Sequence, residues 1–242
     1  MNVTIVLPTL NEAENIEKFL SKVYEEISKI NGFNINTLVV DGNSTDKTVD
    51  IIKVLQKSNE HIYLIKCDIR GLGNAYKLGF KYAIENLKAD IVIEMDSDFS
   101  HNPNKIKELL EQIENGYDFV IGSRYVKGGS IPKHWSIFRK LNSRFGNIFA
   151  RCFAGLDKIK DCTSGFRAIN ANVIKQIKLE DLKVEGYSFQ MNILYECINV
   201  GARVCEIPID FVDRENGKSK LRIVDITEFI ANSFQLFFKR FI

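Results

Sequence analysis

Five short apolar runs rich in β-branched residues recur through the first half of the chain, and an amphipathic helical pattern fills each gap between them. The runs are Val3 to Leu7, Leu38 to Val40, Ile62 to Ile65, Ile91 to Met95 and Phe119 to Ile121. The stripes between them are Ile16-Phe19-Leu20-Val23-Ile27-Ile30, Val49-Ile52-Leu55, Ala75-Leu78-Gly79-Tyr82-Ala83 and Ile106-Leu109-Leu110-Ile113, each at helical spacing. Asn11 with Glu14 resembles a capping box for the first helix. Asn102 and Pro103 read as the N-cap and first residue of the fourth. Strands that alternate with helices in this way form a mainly parallel central sheet with helices on both faces and right-handed crossovers, an α/β fold.

Such a sheet binds ligands outside the carboxyl ends of its strands. Three of those ends carry polar groups here: Pro8-Thr9-Leu10-Asn11-Glu12, Asp41, and Asp96-Ser97-Asp98. Together they frame a nucleotide-sized crevice. A dinucleotide-binding fold needs G-x-G-x-x-G after the first strand, and Pro8 to Glu12 stands there instead. Arg70-Gly71-Leu72-Gly73 follows the third strand and is no Walker loop; its glycines suit close helix packing as well as a ligand. Two carboxylates one residue apart at a strand end offer hard oxygen donors to Mg²⁺ or Mn²⁺, completed by substrate phosphates. The plainer alternative is a polar strand end feeding a helix cap. Successive strand residues point opposite ways, so both acids reach one ion only if the strand has already turned.

With 242 residues and a net charge of +2, the chain fits one or two domains and offers no general nucleic-acid surface. Five cysteines without a C-x-x-C pair point to idle thiols in a reducing compartment rather than to disulfides or zinc. The N-terminus enters a strand directly with no signal-peptide pattern, and no stretch has the roughly 20 apolar residues a bilayer span requires. His61, His101 and His134 are scattered, His101 alone falling near the crevice.

The second half is basic and aromatic. Gly122-Ser123-Arg124 closes the fifth strand, and Val126 to Lys133 reads as a Gly-rich loop. The helix after it carries Trp135, Phe138, Leu141, Phe145, Ile148, Phe149 and Phe153 on an apolar stripe, with Arg139, Lys140, Arg144 and Arg151 elsewhere. This pattern suits a membrane-interfacial helix, and equally a core-packing helix with a solvated basic face. Val173 to Ile177 and Met191 to Ile198 read as helices, and Arg203 to Phe211 holds a strand. Leu221 to Ile242 is amphipathic and carries Asp225 and Glu228, so it is expected to lie on a membrane or on the domain rather than to cross a bilayer.

The ordered segments Pro8-Thr9-Leu10-Asn11-Glu12, Val39-Val40-Asp41-Gly42-Asn43-Ser44, Arg70 to Ala75, Asp96-Ser97-Asp98, Gly122-Ser123-Arg124, Asp161-Cys162-Thr163-Ser164-Gly165-Phe166-Arg167, and Asp213-Arg214 with Gly217 to Leu221 span nearly the whole chain. In this order they resemble family-2 glycosyltransferases of the GT-A fold, a Rossmann-like nucleotide-sugar transferase architecture. More narrowly they resemble the dolichyl-phosphate (polyprenyl-phosphate) mannose synthases and their glucosyl relatives. The resemblance implies a catalytic domain over residues 1–220, with a nucleotide-sugar half (1–122) and an acceptor half (123–220), followed by an amphipathic membrane-facing or packing helix (221–242).

The same resemblance implies that Pro8, Leu10, Glu12, Val39 and Asp41 surround the base and ribose. Asp96, Ser97 and Asp98 would hold the diphosphate and a Mg²⁺ or Mn²⁺ ion, with help from Ser100, and Arg214 and Lys220 would reach the diphosphate. Ser123, Arg124 and Arg139 would bind the phosphate of a polyprenyl or dolichyl acceptor, with Asp98, Arg124 and Arg139 central to catalysis. Leu10, Gly42, Lys47 and Ser100 depart from common family residues, which leaves GDP-mannose and UDP-glucose both open as donor. Peripheral attachment at the cytoplasmic face of a membrane is implied, with or without a membrane-spanning partner subunit. Polysaccharide-building relatives carry a Gln/Arg-x-x-Arg-Trp segment that is absent here; a membrane-associated scaffold without activity is the non-enzymatic alternative.

Overall fold

The computed structural model describes residues 1–182, 188–213 and 223–239, with only the backbone described for 223–228. Seven strands form one sheet: β1 (Asn2–Thr9), β2 (Asn34–Asp41), β3 (Ile62–Lys66), β4 (Ile91–Glu94), β5 (Phe119–Ser123), β6 (Arg167–Asn170) and β7 (Val204–Pro208). Their order is β3-β2-β1-β4-β6-β5-β7. All neighbours pair in parallel except β6, which runs antiparallel to both β4 and β5. The mainly parallel α/β sheet is therefore as expected, and the short β6 is an addition. Arg167-Ala168-Ile169-Asn170 has too few apolar residues to stand out as a strand, and its strand identity comes from the two neighbours it bridges.

Helices α1 (Ile16–Ile27), α2 (Thr48–Ser58), α3 (Leu72–Glu85), α4 (Ile106–Glu114), α5 (Ile137–Ala154), α6 (Ala171–Ile174), α7 (Ser188–Asn199) and α8 (Ile223–Lys239), with short 3-10 turns at Pro103–Lys105 and Leu179–Asp181, complete the described elements. Alternate strand residues feed opposite cores, as a pleated strand requires. Val6, Leu38, Val40 and Val92 join α3 and α7 on one face. Ile5, Leu7, Val39, Ile91 and Ile93 join α1 and α4 on the other. Burial on both faces is why the strands read as unbroken apolar runs.

Two local expectations are corrected. Asn11 and Glu14 do not cap α1: that helix starts at Ile16, and Asn11 sits at φ 57° in the turn before it. Its side-chain oxygen accepts from the Thr45 backbone N–H instead, a tertiary bond that outcompetes local capping. On α3, Leu78 faces solvent, whereas Tyr76 and Phe80 are buried. Gly79 sets that rotation, because its missing side chain lets the helix sit directly on β1 and β2.

Part of the expected α5 stripe faces outward, while Trp135 is buried and Phe149 and Phe153 are half-buried. Phe138 is 85 % exposed, and Ile137, Leu141, Phe145 and Ile148 are also exposed. The buried face of the helix is small and polar instead, made by Asn147, Ala150 and Ala154. Asn147 fastens it, accepting from the Cys162 backbone N–H at 2.7 Å and donating to Thr163 Oγ1 at 3.2 Å. Along one edge α8 packs on α5 through Phe234 against Phe149 and Phe153. No described helix is long and apolar enough to cross a membrane.

A Cβ placed on Gly79 would lie 2.5 Å from Val6 Cγ1 and 3.1 Å from Val40 Cγ2. Overpacking of this kind costs about 1–3 kcal/mol. Gly79→Ala is expected to lower the urea midpoint accordingly; a wild-type midpoint would show that α3 is free to shift off the sheet.

Candidate active site

After β1 the chain builds β2 and β3 on one side, then returns to lay β4 on the other. Ligands bind where strand order reverses in this way, here between the ends of β1 and β4. The turn Pro8 to Glu12 and the acids after β4 flank that point, with Ser97 Oγ 3.5 Å from the Pro8 carbonyl oxygen. Asp41, at the end of β2, is buried; its Oδ2 accepts from the Ser44 N–H at 3.0 Å, while its buried Oδ1 has no hydrogen-bond partner among the described residues. An orphaned acceptor at this edge suits a ribose hydroxyl or a base N–H. Glu12 Oε2 accepts from Asn15 Nδ2 at 3.0 Å, and Leu10 stands half-buried beside Gly42. Val39 is corrected: it is fully buried in the core with α1 and α4 and presents no surface to a ligand.

The strand bearing the acids ends at Glu94, so Asp96 and Asp98 lie on a turn that continues to Phe99 at φ 64°. The strand ends before the acids, and the chain bends from Ser97 onward, between Asp96 and Asp98. Asp96 is 31 % exposed; Asp98 is nearly buried and accepts from the Ser100 N–H at 3.0 Å. Ser100 is itself buried and acts through Asp98 instead of facing a ligand. His101 is buried, stacked on Phe166 at 5.2 Å, and its Nδ1 accepts from the Asp96 N–H at 3.1 Å. Through this contact the imidazole holds the backbone that bears Asp96. Among the described residues no three His, Cys, Asp or Glu side chains converge on a metal site. Two hard carboxylates still fit Mg²⁺ or Mn²⁺, which take one or two from a protein and the rest from phosphates and water.

Behind Asp96, β4 and β6 place Glu94 opposite Arg167. Both are fully buried, with Arg167 Nε 3.8 Å from Glu94 Oε2. Burial pushes the Glu94 carboxyl up to about 7, against the pull of the Arg167 charge. Arg167 spends its other nitrogens on the Gln190 and Cys162 carbonyl oxygens, at 2.6 and 2.8 Å. These bonds hold the start of β6 in place, and with it the segment Asp161 to Phe166.

Asp161 meets Arg124 there. Arg124 Nε and Nη2 reach its two oxygens, each at 2.7 Å, and Nη2 also donates to Thr163 Oγ1 at 2.8 Å. Burial opposes the Asp161 charge, but the Arg124 guanidinium holds its carboxyl below the ordinary value. Breaking a buried, bidentate pair costs about 3–5 kcal/mol, so Arg124 is fixed. Ser123 differs from expectation, because it is enclosed at the end of β5 with its Oγ accepting from the Tyr125 N–H.

Arg139 is the open cation. Its side chain is 46 % exposed, its guanidinium lies 3.9 Å over the Trp135 ring, and its Nη2 is 3.1 Å from Asp213 Oδ1. Asp213 also accepts from Trp135 Nε1 at 2.7 Å and contacts His134 Nε2. Trp135 packs edge-on against Phe211 at 5.7 Å, and Phe211 edge-on against His101 at 5.8 Å. Arg139 is thus linked by contact, through Trp135, Phe211 and His101, to the turn that carries Asp96. Arg214 and Lys220 lie outside the described residues. Asp161 and Asp213 had no assigned role from sequence; the available signal was an acid in each basic, motif-bearing segment.

The chain matches the model of Glycosyl transferase family 2 over residues 4–178. It is 34 % identical to the undecaprenyl-phosphate mannosyltransferase of Micrococcus luteus, covering 96 % of this chain and 92 % of that one. It is also 34 % identical to the polyprenol monophosphomannose synthase of Mycolicibacterium smegmatis, over 93 % and 82 % of the two chains. In fold it is similar to glucosyl-3-phosphoglycerate synthase of Mycobacterium tuberculosis in complex with Mn²⁺ and UDP-glucose: TM-score 0.68, 18 % identity, 99 % of this chain and 78 % of that one. The acids past β4, at the switch point of a mainly parallel sheet, thus sit in a chain that belongs to glycosyltransferase family 2.

Proposed function

We propose that this glycosyltransferase moves mannose from GDP-mannose to a polyprenyl or dolichyl monophosphate with inversion at the anomeric carbon. The observation that carries the reading is the contact path from the acidic turn through His101, Phe211 and Trp135 to the half-exposed Arg139, at the start of the helix with the apolar exposed face. Two relatives named for polyprenyl-phosphate mannose transfer, each at 34 % identity, support the same acceptor and sugar.

Residues 1–122 supply the donor half in this reading and 123–220 the acceptor half, the sheet running through both. Asp41 and Glu12 receive the nucleoside, with Pro8 and Leu10 beside them. Asp96 and Asp98 would hold Mg²⁺ or Mn²⁺, which when bound offsets charge on the leaving diphosphate; Ser97 lines the same turn, and Arg214 and Lys220 are assigned to that diphosphate. The acceptor needs no general base. A phosphate monoester has its second pKa near 6 and is mostly a dianion at neutral pH. What it needs is orientation and relief of repulsion from the donor. Arg139 presents a planar fork to it. Arg124, oriented by Asp161 and Thr163 on Nε and Nη2, has Nη1 for the same phosphate, and Ser123 supports Arg124 from within β5.

The exposed face of α5, with Phe234 and Phe238 of α8 beside it, sets the lipid side. Lys140, Arg144 and Arg151 on the same helix suit an anionic bilayer surface. We assign the protein to the cytoplasmic face of a membrane as a peripheral enzyme, alone or with a membrane-spanning partner.

Three outcomes test this. Asp98→Ala is expected to abolish release of nucleoside diphosphate while the circular dichroism spectrum stays that of wild type. Arg139→Ala should raise KM for a short polyprenyl phosphate about tenfold or more, the worth of one charge-assisted contact, with less effect on KM for GDP-mannose; unchanged acceptor kinetics would remove Arg139 from the site. In a vesicle sedimentation assay, Phe138→Asp with Phe145→Asp should release the protein from anionic liposomes, and retention would place the membrane contact elsewhere. A donor panel of GDP-mannose against UDP-glucose decides the sugar.

A further inference from the structure

Asp213 lies at the end of the described segment that follows β7, outside every role assigned above. Three side chains from the start of α5 and the residues before it converge on its carboxylate: Arg139, Trp135 and His134. Burial works against its charge, yet the bonds from Trp135 and His134 and the charge of Arg139 keep the carboxyl below its ordinary range. It is an anion, and it occupies the guanidinium that the acceptor reading reserves for an incoming phosphate.

The two arginines of the acceptor half differ in what holds them. Arg124 is buried against Asp161 through two short bonds and a backbone contact. Arg139 meets Asp213 through one contact at 3.1 Å, with both side chains partly in solvent. An exposed ion pair is weak and exchangeable. A phosphate dianion has more acceptor oxygens and more charge than a carboxylate, so it displaces a carboxylate from a guanidinium fork. Trp135 and His134 would remain on Asp213 after the exchange, so the carboxylate keeps two partners when Arg139 leaves.

We infer that Asp213 stands in for the acceptor's phosphate: it holds Arg139 while the acceptor site is empty and yields it when a polyprenyl phosphate arrives. This rests on the acceptor reading of the preceding section. Asp213 is a positioning residue, since it acts through Arg139 and touches no substrate. Its presence keeps Arg139 stacked over Trp135 beside the α5 membrane face, where an unpaired guanidinium would otherwise attract lipid headgroups at random. The exchange costs acceptor affinity, because only the fraction of molecules with Arg139 released binds phosphate.

The chain has a single tryptophan, and Trp135 both donates to Asp213 and lies under Arg139, so its fluorescence reports this contact directly. Wild type, Asp213→Asn and Asp213→Glu are to be assayed with GDP-mannose and a short polyprenyl monophosphate. Asn keeps an acceptor for Trp135 and His134 but drops the charge. The expected result is a fall in acceptor KM of about two- to fivefold in Asp213→Asn, the weight of an exposed ion pair. kcat should stay within about twofold, and Asp213→Glu should restore the wild-type KM. In wild type, polyprenyl phosphate should shift Trp135 emission saturably, and the uncharged polyprenol should not. An acceptor KM in Asp213→Asn equal to or above wild type overturns the inference. If Asp213→Asn fails to fold, the wild-type titration decides: turnover without any change in Trp135 emission overturns it. A wild type that neither binds nor uses polyprenyl phosphate overturns the acceptor reading and the inference together, which separates that failure from the failure of Asp213 alone.

Discussion

The site depends on one short strand running against its neighbours. β6 enters the sheet between β4 and β5 in the antiparallel sense, so it begins at the edge where the parallel strands end. The loop before it, Asp161 to Phe166, is therefore delivered to the carboxyl edge of the sheet, beside Asp96 and Arg124. A parallel strand in that place would deliver its N-terminal loop to the opposite edge, leaving Arg124 without an anion. The pairing of Glu94 with Arg167 fixes the register of this insertion. A charge left unpaired in that position carries the full cost of desolvation, so any slip of β6 that separates the two is strongly disfavoured.

From this constraint follows a division between fixed and movable charge. Arg124 is locked by Asp161 in the interior and shapes the end of β5. Arg139 sits on the rim, held over an indole ring and by a single carboxylate. The acids on the far side of the crevice show the same gradient, with Asp98 nearly enclosed and its partner Asp96 open. In each pair one charged group is largely enclosed, Arg124 or Asp98, and the other is partly exposed, Arg139 or Asp96. His101 and Phe211 lie between the two sides, so the backbone of the acidic turn and the start of α5 share one aromatic seam.

The alternation of strand and helix was readable because each strand is buried on both faces and each helix on one, and periodicity records burial. The acids past β4 were readable for the same reason: they interrupt an apolar run. The family resemblance drawn from seven ordered segments agrees with the family-model match. Other features were hidden by their context. Arg167 and Asn170 make β6 look like a loop, since a bridging strand draws its stability from two neighbours. Val39 was placed with the ligand by the family resemblance, but its side chain is fully enclosed in the core with α1 and α4. Asn11 matched a capping pattern that a bond to Thr45 from another turn overrode.

The outward face of α5 divides the two kinds of knowledge most clearly. Its stripe of Phe and Leu, and the basic residues beside it, are fixed by sequence, as are the order of the strands along the chain and the acids at their ends. Which way the stripe points is decided by Asn147 and the small residues opposite, which fit against Cys162 and Thr163 only after β6 has brought that loop into place. Local pattern sets which residues are apolar and at what period. Contacts between segments distant in the chain decide which surface is buried, and which charge ends beside which, because those energies exist only once the sheet has closed.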